Sequence, residues 1–238
     1  MKKTEINICI TAHNEGILIG LTLESILKAK KFASNIGIET VISICVDSGD
    51  QKTKDFICNN EEKVQKILFT DFKDQGLARN KLVNESKSEY LGFMDGDDLC
   101  SENWIAASFR KILNSDQKVI IHPELNWFFD NQNSILLNIE DENTLFDKEY
   151  YLQHNYYDAL CIAPREAWLE NPYCTRQIKK GFAYEDWLWN IETRLAGWKH
   201  KVAKDTIIFK RRRKMNSQNL AASRSKNTIK FSNWKEFL

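Results

Sequence analysis

The sequence predicts an α/β fold, a mainly parallel sheet flanked by helices, with a mixed C-terminal half. Two observations predict it. Apolar, β-branched runs alternate with helix-length stretches through the first 114 residues, the pattern of right-handed βαβ crossovers. Beyond Asn114 the apolar runs shorten and are separated by polar turns, so the second half extends the sheet with other pairings.

The elements follow in order. Residues 6–12 form a first strand, and residues 16–31 carry Ile17, Leu18, Leu21 and Leu27 near a helical stripe. Residues 41–46 read as a buried strand that stops at Asp47-Ser48-Gly49-Asp50. A short helix at 52–59, a strand at 64–70 and a helix at 76–86 come next. The strand at 90–94 ends in Asp95-Gly96-Asp97-Asp98, and a helix is expected at 102–114. Ser101 is the expected N-cap of that helix and Asp98 an alternative cap. Short strands are expected at 119–122, 125–129 and 134–139, the last two joined by the turn Asp130-Asn131-Gln132-Asn133. One domain is expected over 1–218, with an α/β half at 1–114 and a mixed half at 115–218. A polar, basic tail follows at 219–238.

Composition narrows the class. The chain has 238 residues, 34 Lys and Arg against 33 Asp and Glu, and a net charge of +1. That balance argues against a general nucleic-acid binder. Six cysteines occur without a Cys-x-x-Cys pair, and Cys9 and Cys45 lie inside apolar runs as small core residues do. No stretch approaches the roughly 18 apolar residues of a membrane span, and no signal peptide is evident. A reduced, cytoplasmic setting is therefore expected.

The run Asp95-Gly96-Asp97-Asp98 puts three carboxylates within four residues at the end of an apolar strand. Such a cluster needs solvent, a counter-charge or a cation. Hard oxygen ligands suit Mg²⁺ or Mn²⁺. Ligands of open parallel sheets bind beyond the carboxyl ends of strands. Three strand ends carry polar residues there: Thr11 to Glu15, Asp47 to Asp50 and Asp95 to Asp98. No Gly-x-Gly-x-x-Gly and no Walker loop is present, so a metal is expected to do the work of a phosphate cradle.

Five motifs in this order resemble the family 2 glycosyltransferases of GT-A fold, from about residue 6 to about residue 202. They are Asn14-Glu15 after the first strand, Val46 to Asp50, Asp74-Gln75-Gly76-Leu77-Ala78-Arg79-Asn80, the Asp-x-Asp strand through Asp98, and Gly181 to Trp187 with its Glu185-Asp186 pair. Thr11 stands where the family usually has Pro, and His13 where it has an aromatic. The resemblance implies that Thr11, His13, Glu15, Asp47, Asp74, Arg79 and Asp95 bind the donor nucleotide. Arg79 is otherwise a surface arginine in an ion pair. Asp97, with Asp95, is implied as the ligand of Mn²⁺ or Mg²⁺, and Asp98 as a bystander.

Asp186 is implied as the general base of an inverting transfer. Glu185 and Asp186 also suit a helix start by complementing its dipole. Glu185, Trp187, Arg211 and Arg213 are candidate acceptor or phosphate contacts. Trp187 and Trp189 are expected on different helix sides, as sugar platforms or as core. Arg165 and Arg176 flank the acceptor region, and His122 and His154 lack metal-type spacing. The Gln-x-x-Arg-Trp motif of processive synthases is absent, which implies single addition. In place of the histidine some relatives carry near the end lies the basic run 210–214. It suits a diphosphate or anionic lipid head groups, or forms a solvated basic edge.

The expected function is transfer of one sugar, from a nucleotide sugar of UDP type, to a glycan or lipid-linked acceptor in surface polysaccharide synthesis. The alternatives are a sugar-1-phosphate nucleotidyltransferase, disfavoured by the acidic His13 to Gly16 loop, and a non-catalytic glycan-binding subunit.

Overall fold

A computed structural model describes residues 5–115, 117–213 and 227–230. The tail expected at 219–238, and the end of the basic run at Lys214, lie outside the described residues except for 227–230.

The first half is β1 (Glu5–Ala12), α1 (Leu18–Ser34), β2 (Glu39–Asp47), α2 (Gln51–Cys58), β3 (Lys66–Thr70), α3 (Gln75–Glu85) and β4 (Tyr90–Asp95). Then come β5 (Leu99–Cys100), α4 (Trp104–Leu113), β6 (Val119–Asp130), β7 (Ser134–Leu137) and α5 (Lys148–Tyr151). The chain continues with β8 (Ile162–Pro164), α6 (Glu166–Glu170), α7 (Glu185–Leu195) and β9 (Lys199–Arg212). One sheet holds all nine strands, in the order β3-β2-β1-β4-β8-β6-β9-β5, with β7 paired to β6.

β1 is flanked by β2 and β4, both parallel to it. Its side chains alternate between two cores. Ile6, Ile8 and Ile10 pack with α1 and α4 through Ile19, Leu23, Trp104 and Phe109. Cys9 packs on the other side with Cys45, Phe93, Leu82 of α3 and Trp168 and Trp189 of α6 and α7. Helices on both faces explain why these strands read as continuous apolar runs. Each fully buried Ile contributes about 1.5–3 kcal/mol. All six cysteines are free, and Cys9 and Cys45 sit in the core as expected.

The second half departs from parallel pairing. β8 runs antiparallel to β4 and to β6, and β6 runs parallel to β9. The two strands expected at 119–122 and 125–129 are one long strand. Pro123 lacks the amide a ladder needs, and the register shifts between Pro123 and Leu125. The break is bridged by side chains. Glu124 N donates to Thr206 Oγ1 at 3.1 Å, and Asp205 N donates to Glu124 Oε2 at 2.8 Å. Asp205 takes φ +60° at the matching irregularity of β9. The β6–β7 hairpin forms at the expected turn, with Asp130 at φ +73°. Ser101 does not cap α4. Its hydroxyl donates to Asn103 Oδ1 at 2.8 Å, and no side chain caps that helix. Among the described residues no helix is long and apolar enough to cross a membrane.

Candidate active site

The carboxyl ends of β1, β2 and β4 lie side by side, and their loops are tied together. Gly96 N donates to Thr11 O at 2.9 Å, Asp50 N to Asn14 Oδ1 at 2.7 Å, and Gly16 N to Thr53 Oγ1 at 2.9 Å. His13 Nδ1 lies 2.7 Å from the Asp47 carbonyl, and His13 N donates to the Glu15 carboxylate. A Cβ at Gly49 would lie 2.5 Å from His13 O, so a side chain there would force these two loops apart. The ties shape a cavity of about 680 Å³ whose walls include Thr11, His13, Glu15, Asp47, Asp95 and Asp97.

β9 closes the far side of this cavity. Because β5 pairs antiparallel with β9, with Leu99 opposite Phe209, the residues after Phe209 lie against the Asp-Gly-Asp-Asp turn. Lys210 is buried, with Nζ 2.8 Å from Asp158 Oδ2, 3.4 Å from Asp98 Oδ2 and 4.0 Å from Asp95 Oδ2. Burial alone would lower its pKa, but Asp158, Asp98 and Asp95 hold it above the ordinary lysine value. Arg213 places Nε at 2.8 Å and Nη2 at 2.7 Å from Asp97 Oδ2, with Glu15 Oε1 3.5 Å from Nη2. Arg211 pairs with Asp130 at 2.5 Å.

Two expectations change here. Asp98 is not a bystander: it is 2 % exposed, accepts from Arg211 N at 2.8 Å and anchors Lys210. Burial pushes its carboxyl up while Lys210 pulls it back. Nor is 210–213 a solvated basic edge, because strand pairing turns Lys210, Arg211 and Arg213 onto carboxylates. The peripheral membrane contact expected from the 210–214 run includes Lys214, which lies outside the described residues.

Asp95 sits where two cavities meet. Its Oδ1 accepts from Gln75 Nε2 at 2.6 Å, Arg79 Nη2 at 3.1 Å and Thr11 Oγ1 at 3.2 Å. Burial raises its pKa, yet Arg79 and Lys210 outweigh that and leave it below the ordinary carboxylate value. Arg79 also reaches Glu185 Oε1 at 3.1 Å and lies over the Tyr173 ring, 5.3 Å from its centroid. At 3 % exposure it is a buried cation between two carboxylates, not a surface arginine. α3 and the start of α7 approach closely enough that a Cβ at Gly76 would meet Glu185 Cγ at 3.0 Å.

A second cavity of about 320 Å³ opens beyond Asp95 and shares Gln75, Asp95, Lys210 and Arg212 with the first. Asp186, Asp158 and Tyr184 line it. Tyr184, at φ +61°, precedes α7 and turns the chain so that Glu185 and Asp186 begin the helix. Asp186 Oδ1 accepts from Trp187 N at 2.9 Å. Burial, then the negative charge of Glu185, pushes the Asp186 carboxyl up to about 7.

Other expected residues lie elsewhere. Asp74 caps α3 through Leu77 N at 3.2 Å, accepts from Arg176 N at 2.9 Å, and lines neither cavity. Asp47 does line the first cavity. Its oxygens already accept from Thr70 Oγ1, Phe72 N and Asp74 N at 2.9, 2.6 and 2.9 Å, which hold the following loop. Trp187 and Trp189 are both core. Trp187 Nε1 donates to Tyr151 O at 2.8 Å, and Trp189 stacks on Trp168 at 5.3 Å. Neither lines either of these two cavities, because α7 is covered on both sides. Arg165 binds Val83 O at 2.9 Å, whereas Arg176 lines the second cavity. His122 is buried, stacks on Tyr157 at 4.1 Å and shares a ring-nitrogen hydrogen bond of 2.8 Å with His200.

Sequence reasoning missed Gln75 and Asp158. Gln75 lay within a quoted motif, one residue from its glycine. Asp158 stands in a segment with no periodic signal.

For a divalent cation the donor set is small. Among the described residues no group of three or more His, Cys, Asp or Glu is arranged to hold one. Asp97 Oδ1 has no hydrogen bond among the described residues, and Asp95 Oδ2 has only the 4.0 Å approach of Lys210. Two such carboxylates fit Mg²⁺ or Mn²⁺, which take most of their ligands from water and substrate phosphates.

Comparison with known proteins agrees with this geometry. No curated protein matches the chain. Staphylococcus aureus TarS 1-349 in complex with UDP-GlcNAc superposes with a TM-score of 0.69 at 15 % identity, covering 90 % of this chain and 60 % of that one. The mannosyltransferase PcManGT from Pyrobaculum calidifontis, in complex with GDP-Man and Mn²⁺, gives 0.60 at 10 % identity, covering 86 % and 56 %. These likenesses show the fold, and the chain spans somewhat over half the length of each structure. The family model described as Glycosyl transferase family 2 matches residues 7–168, more than half of the sequence. On that match, the chain belongs to the family 2 glycosyltransferases.

Proposed function

We propose that this protein transfers a single sugar, with inversion, from a nucleotide sugar of UDP type to a hydroxyl of a glycan or lipid-linked acceptor. In this reading 1–114 serves the donor and 115–218 shapes the acceptor site, with β9 reaching back to the donor cavity. The observation that carries it is the pair of joined cavities. One is lined by the carboxyl ends of the parallel strands, the other by Asp186, and Asp95 and Gln75 form their common wall. The nucleotide sugars bound to the two structural neighbours support the donor class.

Each residue has a task. Asp97 and Asp95 would hold Mn²⁺ or Mg²⁺, which neutralises charge on the leaving nucleoside diphosphate. Asp186 takes the proton of the acceptor hydroxyl. That oxygen bonds to the anomeric carbon as the bond from this carbon to the phosphate oxygen breaks, and the electron pair leaves with the nucleoside diphosphate. A carboxyl raised to about 7 is a stronger base than an ordinary aspartate and still ionises near neutrality. Arg79 keeps Asp95 and Glu185 in place and compensates their charge. Single addition in surface polysaccharide synthesis, on the cytoplasmic side, is the setting we propose.

The test is release of nucleoside diphosphate from UDP- and GDP-sugars with Mn²⁺ and an oligosaccharide panel. Asp97→Ala and Asp186→Asn should each lose at least a hundredfold in turnover. Wild-type rates in both variants would overturn the assignment.

A further inference from the structure

Four consecutive cations, Lys210 to Arg213, stand at the end of β9 and just after it, and their partners differ. Lys210 is enclosed by Asp158, Asp98 and Asp95, Arg211 holds Asp130, and Arg213 holds Asp97 and Glu15. Arg212 has no carboxylate within salt-bridge distance among the described residues. Its guanidinium lies over the Phe128 ring, 4.3 Å from the centroid. Its carbonyl accepts from Asn131 N at 3.1 Å and Asn131 Nδ2 at 2.8 Å, which fixes the backbone.

The direction of this side chain is informative. In the β6–β9 register Arg212 lies opposite Asp130, while Phe128 lies opposite Lys210. To reach Phe128, Arg212 leans two residues back along the strand, toward Lys210 and into the site. It lines both cavities at the seam marked by Gln75, Asp95 and Lys210. The aromatic face limits the freedom of the guanidinium, so little order is lost when an anion arrives.

Resting on the transfer reading above, we propose that Arg212 is the residue that binds the diphosphate of the nucleotide sugar and the departing nucleoside diphosphate. The anomeric carbon is bonded to phosphate on the donor side and becomes bonded to the acceptor on the Asp186 side. The leaving phosphate oxygen therefore belongs at the seam of the two cavities. A planar guanidinium matches phosphate oxygens with paired, charge-assisted hydrogen bonds. This moves the phosphate role from Arg211 and Arg213, whose charges are already met by carboxylates, to Arg212.

The experiment is calorimetric titration of the whole chain with UDP and UMP, and with GDP and GMP, in Mn²⁺. It compares wild type, Arg212→Met and Arg212→Lys, with thermal melts alongside. Arg212→Met keeps an unbranched apolar stem over Phe128. It is expected to weaken the nucleoside diphosphate at least tenfold and the monophosphate less than threefold. Arg212→Lys should recover part of the loss, and turnover of Arg212→Met should fall more in kcat than in KM. Equal losses for mono- and diphosphate, or none, would overturn the proposal. If the wild-type chain binds neither UDP nor GDP, the nucleotide-sugar reading falls first and this inference with it. If Arg212→Met melts early, the diphosphate-to-monophosphate ratio of Arg212→Lys decides: an unchanged ratio sinks the idea.

Discussion

The proposed proton acceptor, Asp186, makes the sharpest prediction. Asp186 is buried beside Glu185, and the two effects push its carboxyl up to about 7, with Arg79 pulling the other way. The group must be ionised to accept a proton, so activity should rise with pH. With a pKa of about 7, roughly one carboxyl in ten is ionised at pH 6 and nine in ten at pH 8. The single-turnover rate should thus climb about tenfold across that interval. Glu185→Gln removes the neighbouring charge that raises the carboxyl and leaves the charge of Arg79 less compensated. Both changes favour ionised Asp186, so the ascending limb should move to lower pH. Asp186→Asn should abolish the limb and cost about 10²–10⁴ in rate, the usual contribution of a positioned base. The assay is rapid-quench formation of product at saturating donor, from pH 5.5 to 8.5. A flat wild-type profile, or a Glu185→Gln limb that moves upward, would refute the reasoning.

Three further outcomes are expected. Lys210→Met leaves Asp95, Asp98 and Asp158 without their shared cation, at a cost of about 3–5 kcal/mol. For a chain of this size the melting temperature should fall by roughly 6–20 °C. The double variant with Asp98→Asn should recover part of that, and an unchanged melt for Lys210→Met would contradict the buried cluster. Gly92→Ala would bring a Cβ to 2.8 Å from Ile162 Cγ1 and 2.9 Å from Ile8 Cδ1. Denaturant titration should show about 1–3 kcal/mol of overpacking, whereas a neutral result would mean the two strands spread freely. Chelation of divalent cations by EDTA should stop sugar transfer and reduce the thermal stabilisation that UDP or GDP confers. Retention of both after chelation would remove the metal role of Asp97 and Asp95.

Much of the polar sheet edge was legible because in a βαβ unit the residues at that edge directly follow each strand. Asn14-Glu15, Asp47 and Asp95 to Asp98 are read off the ends of β1, β2 and β4, whose apolar runs are unmistakable when helices cover both faces. Arg79 was found by its motif, but its depth was not, since α3 shows no regular stripe and only the approach of α7 buries it. Trp187 and Trp189 illustrate the converse. Helical periodicity places them on different sides, yet both are core because two layers sandwich α7.

By itself the sequence determined the alternation of strands and helices and the carboxylates at the sheet edge. Both depend on contacts between near neighbours along the chain. Only the tertiary structure decided how those carboxylates are answered. β9 pairs with β6 some 80 residues earlier and with β5 beside the Asp-Gly-Asp-Asp turn. No local pattern encodes that register. It brings Lys210 and Arg213 onto Asp98 and Asp97, makes Asp158 a member of the site, and leaves Arg212 facing the seam. A run of like charges repels itself in an extended chain. In the fold each member is turned, by strand alternation and by the partner it meets, to a different task.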